Sequence, residues 1–119
     1  MSHLSILPTV FTRLDLLERS LIEEGFVVQT DGSLPDFGTS PRSVDLLARR
    51  EGSRPLGWVH RDDGTIVMVG DLQRISLQSG MALRLQRVTR CYALLEALEQ
   101  VEALASSDLN MSVTTSRRV

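Results

Sequence analysis

Nucleophilic catalysis needs a serine, cysteine or lysine held beside a base, and the bases in this chain are His3, His60 and the carboxylates. The single cysteine, Cys91, falls on the apolar stripe of a helical stretch, where a free thiol acts as a small hydrophobe and not as an activated thiolate. The residues therefore predict no catalytic centre and no cofactor. A second chemistry is metal binding. His60, Asp62, Asp63 and Asp71 crowd one end of a hairpin, and His3 joins them if the first strand lies alongside, which would gather nitrogen and oxygen donors for a divalent ion. Turn geometry already accounts for Asp62 and Asp63, and helix capping for Asp71. The spacing also matches no calcium loop, so a small-ligand or divalent-metal sensor stands second, as the alternative.

Surface recognition is the leading reading, and a long helix over 81–105 carries it. Arg84, Arg87 and Arg90 form one ridge at three-residue spacing, and Glu96, Glu99 and Glu102 form another further along. A helix macrodipole favours anions in the first turn and cations in the last, so this order is reversed. Two such helices packed antiparallel across a two-fold axis set each Arg ridge against a Glu ridge, which predicts a homodimer; a solvated charged surface is the competing reading. Trp58, the only tryptophan, is either an anchor for a partner or the main contact of the sheet to the first helix, and the second is favoured.

These residues need elements to position them. An edge strand over 4–10, broken by Pro8, precedes a helix over 13–24 with Thr12 as its cap, Asp15 in the capping-box position and Phe11 and Leu16 as a hydrophobic staple. Gly25 ends that helix, and Phe26 folds back on Leu21. Strands follow over 26–30, 43–49, 56–61 and 65–69, with a loop over 31–42 and a tight Asp62-Asp63-Gly64 turn. Asp71 caps a short helical segment over 71–79. Gly80 then breaks it before the long helix, in which Cys91, Leu94, Leu98, Val101 and Ala105 repeat at helical spacing, with Val88, Tyr92 and Leu95 widening the stripe. A last strand over 109–115 and a frayed end close the chain. This order suits an α+β fold, an antiparallel sheet of four to five strands with two main helices packed on one face.

Composition bounds the rest. The 119 residues fit one domain, 1–119, and 42% hydrophobic with 24% charged residues is the balance of a chain that folds. A net charge of −2 offers phosphate or anionic lipid no long-range attraction, which disfavours nucleic acid. A lone cysteine excludes an internal disulfide and suits a reducing compartment, and no apolar run approaches the roughly 20 residues of a membrane span. The N-terminus lacks the basic and apolar regions of a signal peptide. The expected setting is cytoplasmic. All 13 cationic residues are arginine, a bias that codon usage explains more simply than function.

Several residues coincide with a family pattern. The opening Met1-Ser2-His3-Leu4-Ser5, the Gly57-Trp58 pair, the Asp63-Gly64 turn and the Asp71-Leu72 pair together resemble the hypothetical chloroplast reading frame thirty-five family, a cyanobacterial and plastid domain of unknown function. The similarity covers nearly the whole chain and departs most in its C-terminal third. It implies a cyanobacterial cytosol or plastid stroma as the setting and carries over no activity and no ligand residues. The expected role is a non-catalytic accessory or partner-binding protein.

Overall fold

A computed structural model of the chain describes residues 4–35, 41–71 and 80–115, with side chains described as far as residue 106. Five strands, β1 (Ser5–Pro8), β2 (Val27–Leu34), β3 (Arg42–Arg49), β4 (Leu56–His60) and β5 (Ile66–Gly70), form one antiparallel sheet in the order β1-β5-β4-β3-β2. Helices α1 (Leu14–Glu23) and α2 (Met81–Thr115) pack on one face of it, the α+β arrangement expected. Pro8 sits at the end of edge strand β1, where its missing N–H costs no ladder bond.

The tight turn forms as its residues predict. Gly64 adopts φ 89° and donates to the Arg61 carbonyl at 3.0 Å, while the Asp63 carboxylate accepts from the Thr65 amide at 3.0 Å and from its hydroxyl at 2.6 Å. The turn fixes the β4–β5 register, with His60 opposite Ile66 and Gly57 opposite Val69. Gly25 closes α1 in a Schellman arrangement: at φ 97° its amide donates to the Ile22 carbonyl, and the Phe26 amide donates to Leu21.

Three local expectations change. The cap of α1 is Arg13 and not Thr12, and no side chain caps it. Instead the Tyr92 hydroxyl accepts from the Thr12 and Arg13 amides at 3.0 and 3.1 Å, so a residue of α2 replaces the local cap. Residues 109–115 continue α2 and form no strand, because nothing interrupts the helix after Gly80. The expected loop over 31–42 is shorter, since β2 runs on to Leu34 and β3 begins at Arg42. The helical segment over 72–79, His3 and the frayed end over 116–119 lie outside the described residues.

That longer β2–β3 hairpin covers part of the face opposite the helices. Asp31 takes φ 55° between the paired Thr30 and Gly32, and beyond it Val44 joins a cluster different from that of Leu46, two residues away on the same strand. Leu34 and Val44 come to rest against Gly57. A Cβ at Gly57 would lie 2.5 Å from Val44 Cγ1 and 3.0 Å from Leu34 Cδ1, and one at Gly32 would lie 2.8 Å from Leu47 Cβ. The two glycines are thus what lets Leu34 and Val44 pack against Leu47, Val67 and Val69. Gly57→Ala forces Val44 aside and lowers the stability measured by urea unfolding by about 1–3 kcal/mol; an unchanged midpoint would show that the hairpin tip yields freely.

Candidate functional site

The first helix face to consider is the one the protein buries. Met81, Leu85, Val88, Tyr92 and Leu95 run down one side of α2 at three- and four-residue spacing and join the cluster formed by Leu16, Leu17, Leu21, Leu46, Leu56, Trp58 and Ile66. Leu94, Leu98 and Val101 lie on a different side, roughly 130° away at about 100° per residue. They are 60%, 49% and 60% exposed, and Leu104 nearby is 67% exposed. The single broad apolar stripe expected from the sequence is therefore two lines, of which the fold buries one.

The charged ridges have partners within the chain. Arg84 and Arg87 approach the Glu24 carboxylate at 3.7 and 3.6 Å, and Arg13 pairs with Glu99 and, at 2.7 Å, with Asp15. Glu24 follows the C-terminal end of α1 and Arg13 precedes its N-terminal end, so α1 lies antiparallel to α2. The reversed charge order of α2 is matched across the helix pair by α1, which has Arg13 before its start, beside Asp15 in its first turn, and ends in Glu23 and Glu24. The antiparallel pairing inferred between two copies is thus met first by α1, for Arg84, Arg87 and Glu99. Arg90, Glu96 and Glu102 form no ion pair among the described residues. Sequence reasoning missed Arg13, Glu24 and Arg50; the signal was present at the end of α1, where Glu23 and Glu24 are charges its own dipole disfavours. Arg50 donates to the Glu24 carbonyl at 3.0 Å and lies 5.9 Å from the centre of the Phe26 ring, so a third arginine closes the same end of α1.

Trp58 is 1% exposed and packs beneath the helices, which removes it from any surface as a partner anchor and leaves its role in the core. Tyr92 stacks edge-on against Phe11 at 4.7 Å while its hydroxyl holds the start of α1. Cys91 is half-buried and free.

The hairpin-end constellation does not assemble. His60, Asp62 and Asp63 are exposed at the β4–β5 turn, but Asp71 is buried beyond Gly70, at the other end of β5. A strand of five residues spans roughly 17 Å, far beyond the reach of a shared ion. The His60 amide donates to Asp45 at 2.7 Å, and Asp63 is taken up by Thr65. Among the described residues no group of three or more His, Cys, Asp or Glu could hold a metal ion. The metal reading of His60, Asp62, Asp63 and Asp71 is corrected by this register. No helix among the described residues is long and apolar enough to cross a membrane.

Two expectations follow from the electrostatics. The hydroxyl and amide of Thr65 hold the Asp63 carboxyl below its ordinary value of 3.8. A group depressed in the folded state stabilises it above the unfolded value and loses that contribution as pH falls through the folded value. Asp63→Asn therefore removes part of the acid-side loss of stability below about pH 4, as read by thermal unfolding against pH; identical profiles would show that the turn is indifferent to this charge. A double-mutant cycle between Glu24→Ala and Arg84→Ala or Arg87→Ala gives a coupling of about 1 kcal/mol or less that shrinks with salt, and a larger, salt-insensitive value would mean a desolvated pair. No protein-family model, curated protein or solved structure matches this chain.

Proposed function

We propose that the protein is a non-catalytic, partner-binding accessory protein whose binding element is the unburied apolar line of α2, and that a second copy of the chain is the partner this line fits. The observation that carries the reading is the exposure of Leu94, Leu98, Val101 and Leu104 on one helix, a concentration of large apolar side chains that isolated surface residues do not produce. The element is long enough. At 35 residues α2 extends roughly 52 Å, against roughly 15 Å for α1, so its outer part runs past the helix that pairs with it.

The spacing of the line favours a second copy over an unrelated protein. Leu94, Leu98, Val101 and Ala105 follow the four-and-three spacing of a coiled-coil seam. An antiparallel pair crossing near Leu94 sets Cys91 against Leu98 of the second copy and leaves Arg90 and Glu102, which form no ion pair among the described residues, to flank the seam. Each copy offers the same patch to the other, the requirement of an isologous interface. The cyanobacterial or plastid setting implied by the family resemblance belongs to the same proposal.

Sedimentation equilibrium of the full chain at micromolar concentration tests it. A dimer is expected, weaker at high salt, and Leu98→Glu at the centre of the seam weakens association at least about thirtyfold, the effect of a central interface residue worth about 2 kcal/mol. The far-ultraviolet spectrum should stay unchanged, because Leu98 does not touch the core. A monomer at every concentration and salt, or a Leu98→Glu protein that still dimerises, rules out the seam.

A further inference from the structure

A cavity of about 290 Å³ opens where the end of β1 leaves the sheet under α2, walled by Pro8, Thr9, Phe11, Trp58, Met68 and Thr89 among others. Its walls are mainly apolar, and its size is at the lower edge of pockets that hold small organic ligands. The threonine hydroxyls are committed as donors: Thr9 donates to the Ile66 carbonyl and Thr89 to Leu85. Trp58 differs. Its indole N–H is a donor with no acceptor capacity of its own, and it is buried with no hydrogen-bond partner among the described residues. Buried indole donors ordinarily find an acceptor, and one left without it is costly. Met68, directly opposite Trp58 in the sheet and also on the cavity wall, is an unbranched side chain that repacks easily.

We propose that this cavity is a binding site for a small, flat, apolar molecule carrying one hydrogen-bond acceptor, which enters beside Met68 and accepts a hydrogen bond from the Trp58 indole N–H after a slight tilt of the ring. The apolar walls select the body of the ligand and the indole selects the acceptor. The tilt is favoured only when an acceptor arrives, since the N–H gains a bond it lacks in the empty protein. The site stands apart from the exposed seam of α2 and does not depend on dimerisation, because Thr89 and Val88 lie on other sides of that helix.

Trp58 is the only tryptophan, so its indole gives a single resonance in the protein labelled with ¹⁵N-tryptophan. Titration with acetophenone should move the indole proton downfield and saturate. α-Methylstyrene has the same shape with the carbonyl oxygen replaced by carbon, and should leave that downfield shift absent. Thr89→Phe, on an exposed position at the rim, should abolish the acetophenone shift while the helical spectrum and the free indole resonance remain as in the parent. Absence of a saturable shift with acetophenone, an equal downfield shift with α-methylstyrene, or an unaltered response in Thr89→Phe would each overturn the assignment.

Discussion

Everything in this protein is arranged around the seating of α2 on the sheet through Met81, Leu85, Val88, Tyr92 and Leu95. That line covers Trp58 and the helix-facing side chains of β3, β4 and β5, and its last buried aromatic does a second job. The Tyr92 hydroxyl accepts two amides at the entry to α1, a segment 80 residues away in sequence, so the docking of one helix supplies the hydrogen bonds that start the other. In a chain with few aromatics, Tyr92, Phe11, Phe26 and Trp58 all lie in the one cluster. Burial of this cluster is the dominant favourable contribution to the fold, because apolar area removed from water is stabilising at roughly 25 cal/mol per Å².

The antiparallel course of α1 along α2 follows from the same seating and decides the electrostatics. α2 carries Arg84 and Arg87 near its start, and α1 runs from Arg13, through Asp15, to Glu23 and Glu24 at its end. Set antiparallel, the cationic start of α2 meets the anionic end of α1, and Glu99 meets Arg13. The aligned dipoles of two antiparallel helices also oppose one another, so charges disfavoured at the start of α2 and the end of α1 become favourable between the helices. Exposed pairs of this kind contribute little energy. Their value is orientation: a parallel α1 would bring Arg13 to Arg84 and Glu24 to Glu99, and that register is excluded by repulsion as well as by the chain path.

Much of the fold was legible because it rests on local chemistry. The Schellman end at Gly25 and the Asp63-Gly64 turn each involve residues close in sequence, and each is realised. What was not legible depends on distant groups. Thr12 has the residue type of a cap, yet a tyrosine from α2 supplants it, and no local pattern announces that. Leu34 and Val44 pack down where Gly32 and Gly57 are close to Leu47 and Val44, contacts visible only once β2, β3 and β4 lie side by side. The acidic cluster misled for a related reason. Only seven residues separate Asp63 from Asp71, but an extended strand carries Asp71 to the far end of the sheet, so closeness in sequence became distance in space.

The exposed line of α2 follows from geometry rather than from any excess of apolar residues. A helix offers a flat sheet and a short neighbour only one side, and α2 is about three times the length of α1 plus its cap residues. Leu94, Leu98 and Val101 keep the periodicity of a packed face at positions left exposed among the described residues. Random surface leucines would be scattered around the helix, whereas these recur on one side at the spacing that interdigitates with another helix. The side of α2 that the sheet and α1 cover and the side left exposed each carry large apolar residues at helical spacing.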